Sequence, residues 1–201
     1  MKKIAISLML AAGLVATSAQ AGDIEKGKQL SATCAGCHGA DGNSAAPTFP
    51  KLAGLGERYI IKQLKDFKSG ARNNPIMLGM ATPLSEEQMA DLAAYFSAQK
   101  TSNGAIAKDK MELGARIFKA GNAATGVPAC LACHGPAGAG VAAAGFPRLA
   151  GQHADYIKAQ LNAFQDDART NDGDNKMMRD IAGRMSKKEI EAVSAYVQAL
   201  Y

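Results

Sequence analysis

The chain has 201 residues, 47% of them apolar, and a net charge of +5. That is long enough for one or two small domains with a core. The charge is too slight and too scattered to form a nucleic-acid-binding surface, and no Lys/Arg block occurs.

Residues 1–21 have the layout of an export signal. Lys2 and Lys3 form the charged start, residues 4–16 the apolar run, and Ala19-Gln20-Ala21 the small-residue cleavage site. The run is shorter than the roughly 20 apolar residues that span a bilayer. Cleavage after Ala21 removes both lysines and lowers the charge to +3. No other stretch is apolar enough to cross a membrane, so the expected product is a soluble protein in the periplasm.

A short helix is predicted over about 23–33, and next comes Cys34-x-x-Cys37-His38. A second short helix, over about 111–119, precedes Cys130-x-x-Cys133-His134. These two segments use all four cysteines and two of the three histidines. Four cysteines in an exported chain would by default be two disulfides, but the histidines argue otherwise. Thiols three residues apart lie on one side of a helical turn and reach the two vinyl groups on one haem edge. The histidine that follows turns its imidazole to the iron, the pattern of c-type attachment. Zinc would need the two pairs together, yet about ninety residues separate them. A thioredoxin-like pair would need a βαβ context, and none is present. The pattern therefore implies two covalently bound haem c groups.

The chain is also a repeat. Cys34 onward reads CAGCHGADGNSAAPTFPKLAGLGERYIIKQLKDFKSGAR, and Cys130 onward reads CLACHGPAGAGVAAAGFPRLAGQHADYIKAQLNAFQDDAR. LSEEQMADLAAYF matches MSKKEIEAVSAYV further on. The period, roughly a hundred residues, is too long for a solenoid. It predicts a signal at 1–21 and two copies of one domain, at 22–102 and 105–201. The link at about 99–110 is polar, with Thr101-Ser102-Asn103-Gly104 at its centre.

Within each copy the haem motif is followed by Phe49-Pro50-Lys51-Leu52 or Phe146-Pro147-Arg148-Leu149. A carbonyl there either accepts the Nδ1 proton of the ligand histidine or closes an ordinary turn. Helices are predicted over 59–68 and 156–165, with Ile60, Leu64 and Phe67 on one face of the first. Ser85 with Gln88, and Ser186 with Glu189, form capping boxes that start the last helix of each copy. No long period-two alternation occurs. The expected fold is all-α: two tandem domains, each enclosing a haem that supplies apolar core the short chain lacks.

A shuttle iron needs a sixth ligand, and methionine opposite histidine raises the potential. Met77 and Met80 lie in one loop before the last helix, Met177 and Met178 in the other. Eight residues back from Ser85 is Met77, and eight back from Ser186 is Met178. No other offset lands on methionine in both copies, so these two are the candidates, with Met80 and Met177 as core filler. His153, which matches Gly56 in the first copy, is expected as an exposed loop histidine.

With these motifs, the whole mature chain resembles the dihaem cytochromes c4 of bacterial periplasms. FPKLAG and FPRLAG with flanking GERYI and GQHADYI, the RTNDGD stretch and the closing helices carry the resemblance. It implies two class I cytochrome c domains about a pseudo-twofold axis, with haem propionates near their interface. It also implies His38 and His134 as proximal ligands, Met77 and Met178 opposite them, and Pro50 and Pro147 as the carbonyls that bond the histidines. Such proteins carry single electrons from the quinol–cytochrome c reductase side toward terminal oxidases, often loosely attached to the inner membrane, and take no small-molecule substrate. The alternatives are the cytochrome subunit of a sulfur-compound dehydrogenase and a dihaem peroxidase; the latter would need an open iron and usually extra histidines.

Overall fold

A computed structural model describes residues 22–105 and 108–200; the expected export signal lies outside them. Helix α1 (Ile24–Leu30) begins where the Asp23 carboxylate accepts the Glu25 and Lys26 N–H groups. It runs through a 3-10 turn at Ser31–Thr33 into α2 (Ala35–His38). Next come α3 (Glu57–Ser69), α4 (Pro75–Ala81) and α5 (Glu86–Ser97). The second half repeats the order as α6 (Lys108–Ala120), α7 (Leu131–His134), α8 (Ala154–Gln165), α9 (Met177–Gly183) and α10 (Lys187–Gln198). Among the described residues no strand forms; isolated bridges join Asn122 to Val127 and Val141 to Phe146.

Both capping boxes form, at Ser85 with Gln88 and at Ser186 with Glu189. In each half the first helix packs on the last, α1 on α5 and α6 on α10, and the middle helix packs against it too. Leu55, Ile60, Leu92 and Phe96 fill one core, and Ile117, Phe118, Ile190 and Val197 the other.

The structure departs from expectation in four places. The methionine segments are short helices, not loops. Asn74 caps α4 by accepting the Met77 N–H, with Pro75 in the first turn; an Asn-Pro pair is a helix start. In α9 the Asp172 carboxylate, from the preceding loop, accepts the Arg179 N–H at 2.9 Å. Met80 is no core filler: it is 38% exposed, whereas Met89 and Met185 are buried. The link between halves is shorter than 99–110, because α6 already begins at Lys108. His153 is not a free loop residue, as described below.

Position 93 is Ala in the first core, and its counterpart Ser194 has a hydroxyl that is buried without a hydrogen-bond partner. An unpaired buried hydroxyl costs on the order of 1 kcal/mol or more, and Ala is also the better helix former. Ser194→Ala is therefore expected to stabilise the protein by about 1 kcal/mol, read as a higher midpoint in chemical denaturation.

Candidate haem centres

Each Cys-x-x-Cys-His segment is one helical turn. Gly39, at φ 79°, and Gly135, at φ 80°, stop that turn directly after the histidine. Most residue types avoid this backbone conformation. The chain then doubles back. The Gly42 carbonyl accepts the Leu52 and Ala53 N–H groups at 2.7 and 3.1 Å, and Gly138 accepts those of Leu149 and Ala150 at 2.8 and 2.9 Å. These bonds lay each Phe-Pro segment over the preceding histidine.

His38 Nδ1 lies 2.8 Å from the Pro50 carbonyl oxygen, and His134 Nδ1 lies 2.9 Å from that of Pro147. A carbonyl only accepts, so Nδ1 carries the proton in both rings and Nε2 keeps its lone pair. Both rings are buried. Burial pushes each imidazole below its ordinary pKa, against the opposing effect of the prolyl carbonyl. Neutral imidazole with Nδ1–H bonded to a carbonyl is the form that offers Nε2 to a metal. Phe49 and Phe146 stand at 6.4 and 6.3 Å from the two rings.

The four thiols are free, with no disulfide between them. Burial raises the Cys34 thiol and pushes Cys130 up to about 11. Among the described residues, no group of three or more His, Cys, Asp or Glu side chains is placed to hold a bare metal ion. The two cysteine pairs thus do not converge on one zinc site. The residues fit a haem in each half: two free thiols on a turn, an oriented imidazole, and a half-buried methionine on the following short helix.

Met77 is half-buried on α4, as are both Met177 and Met178 on α9. The two short helices differ outwardly. The first exposes Ile76, Leu78 and Met80; the second carries Arg179, bound to Asp172 through Nε at 2.8 Å, and exposed Asp180.

Sequence patterns missed the joint between halves. Lys51 donates its backbone N–H to Gln152 Oε1 at 2.8 Å and accepts from Gln152 Nε2 at 2.9 Å. His153 Nε2 lies 2.8 Å from the Ser44 carbonyl oxygen, so the spare histidine is spent on this joint. Beside it Arg72 and Arg169 reach into a shared polar cluster. The only hint was that both fall at matching positions of the repeat, as Ala-Arg.

A family model described as Cytochrome c matches residues 24–100 and again 111–201. A Pseudomonas aeruginosa protein named cytochrome c4 is 49% identical over 201 residues, covering the whole of both chains. A Stutzerimonas stutzeri protein named thiosulfate dehydrogenase electron acceptor is 45% identical, over 93% of this chain and 90% of that one. The crystal structure of reduced recombinant cytochrome c4 from Pseudomonas stutzeri superposes with a TM-score of 0.88 at 48% identity. It is matched over 90% of this chain and 100% of its own.

Proposed function

Because this chain belongs to the cytochrome c family, with two such domains and two covalent haem c groups, we propose that it shuttles single electrons in the periplasm, from the quinol–cytochrome c reductase side of respiration toward a terminal oxidase. It is an electron carrier that works between redox proteins, and the domains are taken as 22–102 and 105–201. Cys34 and Cys37 hold one haem and Cys130 and Cys133 the other, through thioethers. His38 with Met77, and His134 with Met178, would hold the two irons. When bound, each haem supplies a one-electron iron couple. The residues hold it: Pro50 and Pro147 fix the imidazole tautomer, and the apolar cores keep water away. The observation that carries this reading is the imidazole–prolyl carbonyl bond built twice, at 2.8 and 2.9 Å, each beside an unlinked Cys-x-x-Cys turn.

A second reading has a specific observation behind it, the 45% identical relative named as an electron acceptor of thiosulfate dehydrogenase. There the same two domains would take electrons from a sulfur-oxidising enzyme. The peroxidase reading loses its spare ligand, since His153 bonds Ser44.

Visible spectra of the purified protein, with haem quantified and carbon monoxide added after reduction, test the proposal. The expected result is two haems per chain, a methionine-to-ferric-iron charge-transfer band, and no response to carbon monoxide. Carbon monoxide binding would mean an open iron and overturn the closed shuttle. Rapid reduction by a thiosulfate dehydrogenase, but not by a quinol–cytochrome c reductase, would favour the second reading.

A further inference from the structure

Two neighbouring side chains of the second domain grip the first where it holds His38. The carboxamide of Gln152, 5% exposed, takes both main-chain groups of Lys51, the N–H at 2.8 Å and the carbonyl at 2.9 Å. Lys51 directly follows Pro50, whose carbonyl takes the His38 Nδ1 proton. His153 Nε2 lies 2.8 Å from the Ser44 carbonyl oxygen. A carbonyl only accepts, so Nε2 carries a proton and donates it. Ser44 is in turn bonded to the haem motif itself. Its N–H donates to the His38 carbonyl at 2.7 Å, and its hydroxyl to the Cys37 carbonyl at 3.0 Å. The two grips thus bracket His38: one sits next to the carbonyl that holds its ring, the other on the residue that holds its main chain.

Ser44 needs such a hold. Its φ is 26°, which a residue with a Cβ adopts only at a cost, and such a conformation persists where the surroundings fix it. The second copy has a glycine there. Gly140, at φ 81°, donates its N–H to the His134 carbonyl at 2.8 Å, and glycine takes that conformation freely. The gripping residues differ in the same sense. By the repeat, Gln152 and His153 correspond to Leu55 and Gly56, which have no side-chain donor or acceptor. Leu55 is packed in the first core, and a Cβ at Gly56 would lie 3.3 Å from that of Ala142. The first domain answers with Arg58, which donates to the Ala143 carbonyl, in the exposed turn past Gly140.

We propose that Gln152 and His153 are positioning residues for the first haem: from the second domain they hold the backbone that orients His38. The dependence runs one way. His38 is kept in place by docking of the two domains, and His134 by its own domain. A partner or a condition that loosens the joint therefore disturbs the first centre and leaves the second as it was. The inference rests on the two-haem reading.

The test follows exchange of the two histidine Nδ1 protons with deuterium in the reduced holoprotein, by proton resonance. Exchange of a bonded proton requires local opening, so its rate reports how firmly each prolyl carbonyl bond is held. Haem is quantified first; fewer than two per chain overturns the two-haem reading and the proposal with it. His153→Ala leaves the buried Ser44 carbonyl without its partner. The His38 proton should then exchange about tenfold faster, and that of His134 should stay within about twofold of the parent. Gln152→Leu, which installs the residue the first domain carries, should act on the same proton and keeps the test alive should the first variant fold poorly. His153→Gln, whose amide can still donate to Ser44, should hold the His38 proton within about threefold of the parent. Arg58→Ala cuts the reverse contact and should leave the His134 proton unchanged; if it quickens that proton as much, the one-way dependence is wrong. A general loss of stability would quicken both protons alike. With two haems present, that result, or an unchanged His38 proton in both His153→Ala and Gln152→Leu, overturns the proposal alone.

Discussion

Met178→Ala should let the reduced protein bind one carbon monoxide per chain, where the parent binds none. The methionine-to-ferric-iron band should fall by half, and the potential of that centre should drop, because a methionine ligand opposite histidine raises the potential of a haem iron. The neighbouring Met177→Ala is the control, since both side chains are half-buried on α9. If Met177→Ala opens the iron and Met178→Ala does not, the ligand is one residue earlier. Met77→Ala should do the same in the first domain, while Met80→Ala, at a position 38% exposed, should leave the spectrum unchanged.

The second large effect is expected in the scaffold. Gly27→Ala should destabilise the protein by about 2 kcal/mol, although alanine is the better helix former by about 1 kcal/mol. A methyl at Gly27 would meet the Asp91 backbone, 2.6 Å from its carbonyl carbon, where α1 crosses α5. Backbone cannot swing aside as a long side chain can, so overpacking wins over propensity. Gly114 faces the same constraint on α6, with Tyr196 Cβ 2.6 Å from the added carbon. For a chain of this size, the expected fall in Tm is about 4–8 °C. Gly79→Ala is the contrast: it lies in α4 with open space around it, and should hold or slightly gain stability. Equal Tm values for the two substitutions would show that the crossing tolerates a methyl.

What could be read from the sequence was local or repeated. The capping boxes at Ser85 and Ser186 are four-residue signals, and each starts a helix where expected. The helix and haem-motif order followed from periodicity and from the doubled Cys-x-x-Cys-His. Helices α4 and α9 were missed because seven residues are too few for a hydrophobic period. Asn74-Pro75 marks the first, but the second has no side-chain cap at Lys176, and only the loop residue Asp172, seven residues before Arg179, takes up an N–H of its first turn. The arginine pair was marked only by its matching Ala-Arg positions, for another reason. Arg72 and Arg169 stand ninety-seven positions apart in the chain, and only domain docking brings them onto shared partners. His153 likewise owes its role to Ser44, which lies in the other domain.

The segment joining the domains is no slack tether. Thr101 donates to the Ala53 carbonyl at 2.6 Å, Ser102 N–H to Asn43 at 2.7 Å, and Lys51 Nζ to the Ser102 carbonyl at 2.6 Å. Gly104 N–H then reaches the Gln198 carbonyl at 3.0 Å, and the Gln198 amide returns to Ala105 at 2.8 Å. Electron tunnelling weakens exponentially with separation, so a swinging joint would smear the internal hop over many rates. With the strap fastened to both sides, a hop from one iron to the other would keep a single time constant, and the waiting in each turnover would shift to the meeting with partner proteins.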